Sequence, residues 1–584
     1  MNTINARMFV WLALVLALWL NYETWQSEYR VSELIIIEPK NSGTVNLVSL
    51  ADSMPATSPN ILPIDNSAQL PTPANTKFIG LTNNIDAAIT LESVPIQSKN
   101  LGRVKVTTDV LDLDISLQGG DLLRADLLNY PEVKGTSKPV RLLNQEVNAF
   151  YYIQSGLTDS SNTPHPNHLA RFTSAQEQYS FELSGNELRV PLIWVDTQRG
   201  VTVTKTYIFK RGQYKIDLEY EIQNQGTLPW SASSYARILR DDKPVEQSMF
   251  DVESYAFKGP AYYNGSEYKK LDRTKPEEKL LSKDTKDEWV KDGWIAGLQH
   301  HFVTAIVPQT GRSYSYTIKV SRQQYLLSTS GRIQTVAPLD KATIKETIFV
   351  GPKLQNQLKI AGQELDLVAD YGILTILARP LFWLLGFVHK AVQNWGWAII
   401  IVTALLKLLF YPLSEASGKS TAKMRVLGPR LKLLQETHKD DREKLGRATM
   451  ELYKREKVNP LAGCLPILIQ MPVFFAFYWV LLESVEMRQA PFMGWLQDLS
   501  SKDPYYVLPL IMSVAMFIQT KLNPTPPDPL QAKLFMIMPL IMSVTFAFFP
   551  AGLVLYWVTN TVLSILQQWN INRRIESISK VSHG

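Results

Sequence analysis

Residues 395–413 read WGWAIIIVTALLKLLFYPL, and Lys407 is the only charged side chain in this run. A helix of that length rises about 28 Å, close to the roughly 30 Å of hydrocarbon in a bilayer. The run therefore predicts a membrane-spanning helix with an ammonium group about 18 Å from Trp395. Burying that group costs about 2.5–3.5 kcal/mol, so Lys407 needs a polar partner, water or a route to the headgroups.

Four further apolar runs predict spans two to five, and spans three and four are short and rich in methionine. They are Leu461–Leu482, Tyr505–Thr520, Leu534–Phe549 and Leu553–Gln567. Residues 415–459, between the first two spans, contain twelve Lys or Arg and seven Asp or Glu. Because positively charged loops stay on the cytoplasmic side, this insert is predicted to be cytoplasmic, which fixes the side of every other loop.

The charged insert is predicted to form a helical hairpin. Apolar residues recur at helical spacing from Met424 to Leu434, with a break predicted at Pro429. Asp440, followed three residues later by Glu443, predicts the cap of a second helix.

The N-terminal part of the chain predicts one more span and a linker. Residues 1–25 contain Arg7, an apolar run and an aromatic edge, which favours an uncleaved signal-anchor helix over a cleaved signal peptide. Residues 26–100 have the Ser, Asn, Pro and Thr content of a linker outside the cytoplasm. With the basic tail at 571–584, both termini are predicted to be cytoplasmic.

Residues 101–352 predict a large antiparallel β-sandwich outside the cytoplasm. Apolar and polar residues alternate in 111–117 and again in 214–223, as in strands with one solvated face. Residues 353–394 form a connector, and its apolar stretch is interrupted by Arg379-Pro380. That stretch predicts an amphipathic helix at the membrane surface. The expected fold is thus a six-helix membrane bundle, five helices forming its core at 395–570, plus a β-sandwich.

Polar side chains recur on one face of the last span. Tyr556, Asn560, Ser564 and Gln567 follow helical spacing, and unpaired amides facing lipid would be costly. Thr403, on the helical face of Lys407, and Gln470 in the second span add further polar groups. A hydrated cavity inside the bundle is favoured, while hydrogen bonds between helices and a lysine that extends to the headgroups remain the alternatives.

Other sites receive no support from the sequence. It contains no phosphate-binding loop, nucleophile elbow or metalloprotease motif, so no catalytic, cofactor or metal site is predicted and the chain is not expected to be an enzyme. A single cysteine, Cys464, excludes a disulfide framework within the chain. The net charge of +6 gives no indication of nucleic-acid binding.

Residues 394–570 resemble the YidC/Oxa/Alb family of membrane protein insertases, specifically its Gram-negative members. The matching motifs are Asn394-Trp-Gly396, Tyr411-Pro-Leu413, Ala422-Lys-Met-Arg425, Lys457-Val-Asn-Pro-Leu461, Gly463-Cys-Leu-Pro466, Gln470-Met-Pro472, Arg488-Gln-Ala-Pro-Phe492, Asp503-Pro-Tyr-Tyr506 and Gly552-Leu-Val-Leu-Tyr556. The outer domain matches more loosely through Gly119-Gly120-Asp121, Lys210-Arg-Gly212 and Gly293-Trp294.

The resemblance implies a positively charged groove that is closed to the outside and open to cytoplasm and lipid. Lys407 stands where the family usually has arginine, and Trp557 where a second tyrosine often occurs. The expected groove residues are Lys407, Thr403, Tyr556, Asn560, Ser564 and Gln470. An apolar slide into lipid would include Met471, Phe474, Met538 and Met542.

The implied function is insertion and chaperoning of nascent proteins in the bacterial inner membrane, without ATP. The implied partners are nascent membrane proteins, the lipid bilayer and the ribosome, with the Sec translocon as a further candidate. A secondary transporter using the polar cavity is the main alternative, and an enzyme acting on envelope carbohydrate is a third hypothesis.

Overall fold

The computed structural model describes residues 102–581 apart from short gaps. These gaps are residues 147–148, 160–163, 242–255, 274–276, 282–288, 322, 439–440, 457, 459–464 and 523–528. The predicted N-terminal anchor and the linker to residue 100 lie outside the described residues, as do Cys464 and most of the Pro-rich loop before Pro529.

The first described domain is built from strands in two sheets. The strands are β1 Arg103–Thr107, β2 Leu111–Ser116, β3 Leu122–Pro131, β4 Pro139–Leu143, β5 Tyr151–Thr158, β6 Gln178–Ser180, β7 Glu187–Asp196, β8 Val201–Lys210, β9 Lys215–Asn224, β10 Trp230–Asp241, β11 Gly259–Tyr263, β12 Tyr268–Lys270, β13 Glu277–Leu281, β14 Val290–Lys291, β15 Trp294–Leu298, β16 Phe302–Pro308, β17 Ser313–Val320, β18 Gln324–Gly331, β19 Gln334–Val336 and β20 Lys341–Pro352. One sheet runs β13-β17-β18-β10-β5-β3-β2-β1-β6, with β14, β19 and β4 attached beside it. The other runs β12-β11-β15-β16-β20-β9-β8-β7.

The alternating pattern of the sequence explains the packing of these sheets. In β9, Ile216, Leu218, Tyr220 and Ile222 are buried while the residues between them are partly exposed. Their side chains join one hydrophobic core that contains residues of both sheets. The predicted β-sandwich is therefore confirmed, with one exception to its antiparallel order, because β1 and β6 pair in parallel.

The helical part follows the sandwich directly. Its helices are α1 Gln355–Ala361, α2 Thr375–Val392, α3 Trp395–Leu409, α4 Tyr411–Val426, α5 Gly428–Thr437, α6 Arg442–Arg455, α7 Leu465–Glu483, α8 Val507–Leu522, α9 Pro529–Phe546 and α10 Ala551–Val581. Helix α10 packs against α3, α4, α7 and α8, and α2 packs against α3 and α7. Because α10 continues to Val581, the predicted tail begins inside a helix.

Few of these helices are long and apolar enough to cross a membrane by themselves. Among the described residues, α2 meets that length and composition, and α3 with residues 411–420 would form a second span with a bend of 63°. Shorter apolar helices cover Ile469–Glu483, Val507–Leu522 and Lys533–Phe546. The structure thus does not confirm the bundle of six spans, which stays a prediction.

Helix α2 corresponds to the amphipathic helix predicted for the connector. It continues through Pro380, because its face with Leu381 and Leu385 is buried against the neighbouring helices and offsets one missing backbone hydrogen bond. Its opposite face is apolar as well, since Trp383 and Phe387 are exposed and stack on each other at 5.8 Å. The predicted helix of the connector is therefore present, and its position at the membrane surface stays a prediction.

The charged insert folds into helices, with one local difference from prediction. The predicted break at Pro429 is confirmed, since α4 ends at Val426 and Pro429 lies in the first turn of α5, where a missing N–H costs nothing. The cap of α6 is Asp441 and not Asp440, since the Asp441 side chain accepts a hydrogen bond from the backbone N–H of Lys444 at 3.0 Å. Arg430 of α5 pairs with Glu456, just beyond α6, at 2.8 Å.

The sandwich and the helices meet at a polar seam. On the side of the helices, the seam consists of the C-terminal end of α7 and the loop after it. His300 Nε2 lies 2.9 Å from the carbonyl oxygen of Leu482. Arg488 and Gln489 both donate to the carbonyl oxygen of Pro131, at 2.9 and 3.0 Å. These contacts place the 484–503 loop on the side of the helices that faces the sandwich.

Candidate functional site

Lys407 and Ser564 meet between α3 and α10. The ammonium nitrogen of Lys407 donates to the Ser564 hydroxyl at 2.7 Å, and that hydroxyl donates to the carbonyl oxygen of Asn560 at 2.7 Å. Both side chains are half-buried. The lysine is therefore held by a polar partner on another helix, instead of extending alone towards the headgroups.

The polar stripe on α10 divides into two parts. Tyr556 is buried, and its ring stacks on Phe477 at 4.6 Å and on Phe474 at 6.0 Å. Asn560, Ser564 and Gln567, one to three turns further on, are half-buried. The Tyr556 end is thus closed by aromatic packing, whereas the other end keeps access to solvent or to an occupant.

Gln567 has an unused hydrogen-bond donor at the more open end of the polar stripe. Its Nε2 atom is buried and has no hydrogen-bond partner among the described residues. A buried amide donor without a partner is costly, and a water molecule or a polar group of a bound chain would satisfy it.

Thr403 does not line an open surface. Its side chain is buried, and its hydroxyl donates to the carbonyl oxygen of Ile399 in the same helix at 2.6 Å. Helical spacing correctly places Thr403 one turn from Lys407, but it does not show whether a hydroxyl turns back onto its own helix.

The expected apolar slide lies on α7 and α9. Gln470 is half-buried, and Met471 beside it is 39% exposed. Phe474, one turn further, packs its ring edge against Trp557 at 4.8 Å. On α9, Met538 is exposed and Met542 is half-buried against the core of the bundle.

Much of α9 presents large apolar side chains to its surroundings. The exposed members are Leu534, Phe535, Met536, Ile537, Met538, Leu540, Ile541 and Val544. An apolar surface of this extent marks a contact with lipid or with another apolar chain.

Motif residues whose role was not predicted from the sequence connect the helix ends that face the sandwich. Asn394 caps α3 by accepting from the N–H of Trp397, and its amide donates to the carbonyl oxygen of Phe492 at 2.9 Å. A side chain at Gly396 would collide with the Phe492 ring, so glycine permits this close approach. Asp503 accepts from the backbone of Leu508 at 2.7 Å and from the Trp495 indole at 3.1 Å.

A buried ion pair joins the C-terminal end of α7 to the sandwich. This pair was not predicted from the sequence. The side chains of Lys353 and Glu483 are almost fully buried and lie 3.7 Å apart. Burial lowers the pKa of Lys353, and the charge of Glu483 offsets part of that effect. Among the residues that the structure describes, no group of three or more His, Cys, Asp or Glu could hold a metal ion.

Comparisons with known proteins cover the whole described part of the chain. Residues 387–578 match the family model described as 60Kd inner membrane protein, and residues 103–384 match the one described as YidC periplasmic domain. The membrane protein insertase YidC of Thioalkalivibrio sulfidiphilus is 41% identical over 589 residues, which cover 99% of each chain. That of Pseudomonas fluorescens is 46% identical over 499 residues, covering 85% of this chain and 87% of the relative.

A solved structure gives a weaker likeness. The crystal structure of an active YidC insertase with its first transmembrane domain resolved shares 18% sequence identity and a TM-score of 0.36 over 83% of this chain and 98% of that chain. The relatives compared are named as insertases, and neither the transporter nor the carbohydrate enzyme gains support from them.

Proposed function

Because the chain belongs to the YidC family of membrane protein insertases, we propose that it inserts nascent proteins into the bacterial inner membrane and helps them fold. It is an inner-membrane protein with a periplasmic β-sandwich. Its substrates are apolar segments that leave the ribosome and enter the bilayer.

The contact between Lys407 and Ser564 carries the proposal of a polar groove. It joins two helices with half-buried polar groups in an otherwise apolar bundle. An occupant with acidic or polar groups would replace the costly burial of these side chains with new hydrogen bonds. We therefore assign Lys407, Asn560, Ser564, Gln567 and Gln470 to the groove, with Tyr556 at its closed end and Thr403 supporting α3.

The apolar part of a client would move along α7 and α9 into lipid. Met471, Phe474, Met538 and Met542 provide flexible or aromatic surface for varied apolar partners. Transfer of apolar area from water supplies about 25 cal/mol per Å², so insertion needs no ATP. The short α8 and α9 would also favour local thinning of the bilayer.

The arrangement of helix ends supports a core of five spans at 395–570. Helix α3 begins beside Phe492, and α10 begins where the N–H of Ala551 donates to Ser501, so both start at the same outer loop. Helix α7 ends and α8 begins at this loop too. With the anchor at 1–25, the linker at 26–100 and the sandwich at 101–352, we propose six spans with both termini in the cytoplasm.

The remaining segments suit cytoplasmic and membrane-surface roles. Helices α5 and α6 lie at the end of α4, and this hairpin of residues 415–459 would receive emerging chains. The basic tail at 571–584 would contact the ribosome, and the Sec translocon is a candidate partner. The connector at 353–394 places α2 against the core, close to the membrane surface.

Photocrosslinking to a stalled nascent chain tests the groove. We expect a probe at Asn560 or Met542 to capture the client several-fold more strongly than a probe at Leu510. Leu510 is the matched control because it is 65% exposed and lies on α8, outside the groove and the slide. Equal capture from all three positions would contradict a defined path.

A further inference from the structure

A cleft of about 500 Å³ opens at the seam between the sandwich and the outer loop of the helices. It has no part in the groove proposed above. Its walls combine acidic, aromatic and amide side chains with one arginine. The lining residues with side chains suited to bind a ligand are Asp109, Tyr130, Tyr214, Gln357, Glu486 and Arg488.

Two side chains of this cleft have acceptor oxygens that are not fully used. Gln357 donates from Nε2 to the carbonyl oxygen of Gly212 at 2.9 Å, and its Oε1 atom is buried without a partner among the described residues. Asp109 accepts from the N–H of Gly212 at 2.7 Å through one of its two oxygens. Unused acceptors of this kind call for a ligand that donates hydrogen bonds.

Glu486 adds a negative charge that the surrounding residues do not neutralise. No ion pair or side-chain hydrogen bond from the described part of the chain meets its carboxylate. Burial raises the pKa of Glu486 to about 7, because a carboxylate is less stable away from water. A bound cation would reverse that cost.

The aromatic rings fit an ammonium ion. The half-buried ring of Tyr130 lines the cleft, with the buried ring of Tyr214 6.4 Å away at an angle of 58°. Cations bind to such faces in addition to carboxylates. A primary ammonium would donate three hydrogen bonds, enough to engage Glu486 and Gln357 together.

Arg488 makes a purely cationic ligand less suitable than a zwitterion. Its guanidinium donates to the carbonyl oxygens of Pro131 and Glu132, at 2.9 and 3.1 Å, so its charge is fixed beside the acids. A ligand with an ammonium and a phosphate would satisfy Glu486 and Arg488 at once.

The position of the cleft favours a lipid as its ligand. Helix α7 ends at Glu483, and Glu486 follows only three residues later. If α7 spans the membrane, this places Glu486 in the headgroup layer, roughly 5–8 Å thick on each side of the hydrocarbon. Ile360, one turn along α1 from Gln357, is 54% exposed and offers apolar surface beside the cleft.

We propose that the cleft binds the ethanolamine headgroup of a phospholipid, with its ammonium on Glu486 and its phosphate towards Arg488. This proposal rests on the proposed function only through the assignment of α7 as a span. Binding of the headgroup would fix the sandwich against the outer membrane surface.

Native mass spectrometry of the full chain in detergent tests the site, with dihexanoyl phosphatidylethanolamine, dihexanoyl phosphatidylglycerol and phosphoethanolamine as probes. We expect the wild type to retain phosphatidylethanolamine at least fivefold better than phosphatidylglycerol. Glu486→Gln should remove this preference and Glu486→Asp should restore part of it. Glu132→Gln is the control, because Glu132 is exposed near the seam and does not line the cleft.

Each outcome decides the proposal. Equal retention of the two lipids by wild type, or an unchanged preference in Glu486→Gln, overturns it. Stronger binding of the lipid than of phosphoethanolamine assigns the membrane as the source of the ligand, whereas equal binding by both assigns a soluble amine and overturns the lipid. Since retention is measured without insertion, failure here leaves the groove proposal unaffected, and failure of crosslinking at Asn560 leaves this site unaffected.

Discussion

Lys407 places a compact charge where the family usually has the planar fork of arginine. Its ammonium uses one hydrogen bond to bind Ser564, a hydroxyl that any cation donor could reach. Guanidinium groups differ from ammonium groups mainly in their capacity for bidentate contacts. A single hydroxyl partner makes no use of that capacity, so the charge and not its geometry is expected to matter.

Variants at Lys407 test this interpretation. Lys407→Arg should retain insertion of substrates with acidic leaders, while Lys407→Ala should lose most of it, because the leader loses its cationic partner. Protease protection of a radiolabelled substrate in proteoliposomes measures the inserted fraction. Lys419→Ala, at an exposed lysine on α4, is the matched control and should behave as wild type. Equal insertion by wild type, Lys407→Arg and Lys407→Ala would show that the charge is dispensable.

The sequence placed Lys407 and Ser564 at similar depth, where the structure joins them by a hydrogen bond, but it did not show how the other polar side chains are used. Lys407 lies twelve residues after the start of α3 and Ser564 thirteen after the start of α10, so equal depth follows from the spans alone. The hydrogen bond of Thr403 to its own helix and the stacking of Tyr556 depend on rotamers and on neighbours from α7. Those neighbours come from distant sequence, which spacing within one helix cannot reveal.

Glu346 predicts a pH dependence of the sandwich. It is buried on β20 near Ser234 and Lys205, yet neither carboxylate oxygen has a hydrogen bond of good geometry. Burial raises the pKa of Glu346 from 4.5 to about 7. The folded state therefore binds more protons than the unfolded state between these values, and stability falls as the pH rises through this window.

Glu346→Gln should remove much of this pH dependence. The variant should unfold at a higher temperature than wild type at pH 8 and at a similar temperature at pH 4.5, with roughly 3 kcal/mol as the upper limit of the gain. Tryptophan fluorescence during heating in detergent measures the transition. Burial also raises the pKa of Asp121, so some dependence of the same sign should persist. A gain at pH 4.5 equal to that at pH 8 would contradict the explanation.

At the scale of elements, strand and helix type followed from periodicity, whereas helix ends followed from local contacts. The alternation in β9 predicted its buried face correctly. Helices α7 to α9 begin and end within about five residues of the predicted spans, whereas α10 continues well beyond Gln567 to Val581, because a helix can extend past the apolar run that hydropathy detects. A helix was predicted for the connector, and packing of α2 on α3 and α7 explains why it continues through Pro380.

The cap of α6 offers a local test of the cytoplasmic hairpin. Asp441→Ala should increase amide exchange in residues 442–446 about fivefold, since the N–H of Lys444 loses its acceptor. Asp441→Asn should preserve most of the protection because its side-chain oxygen still accepts. Hydrogen exchange followed by mass spectrometry measures both variants, and Glu451→Gln, at an exposed position further along α6, serves as the control. Equal exchange in the alanine and asparagine variants would place the start of the helix elsewhere.

At the scale of the whole molecule, the seam connects the sandwich to the outer end of the proposed bundle. Lys353 follows β20 and Glu483 ends α7, so their buried pair links the two parts of the chain directly. Removing one member of a buried pair leaves an uncompensated charge, while replacing both is often neutral. Substitution of one member of the pair is therefore expected to destabilise the seam without altering the proposed groove.

Lys353→Ala should destabilise the chain by about 3–5 kcal/mol, because Glu483 stays buried without its partner. The double variant Lys353→Met with Glu483→Gln should recover most of that loss. Thermal unfolding in detergent and tryptic cleavage between the sandwich and α2 measure the effect, and Lys359→Ala on the exposed side of α1 is the control. Since the groove lies elsewhere, insertion at low temperature should persist in all three variants. If Lys353→Ala and Lys359→Ala unfold at the same temperature, the pair does not hold the sandwich on the helices.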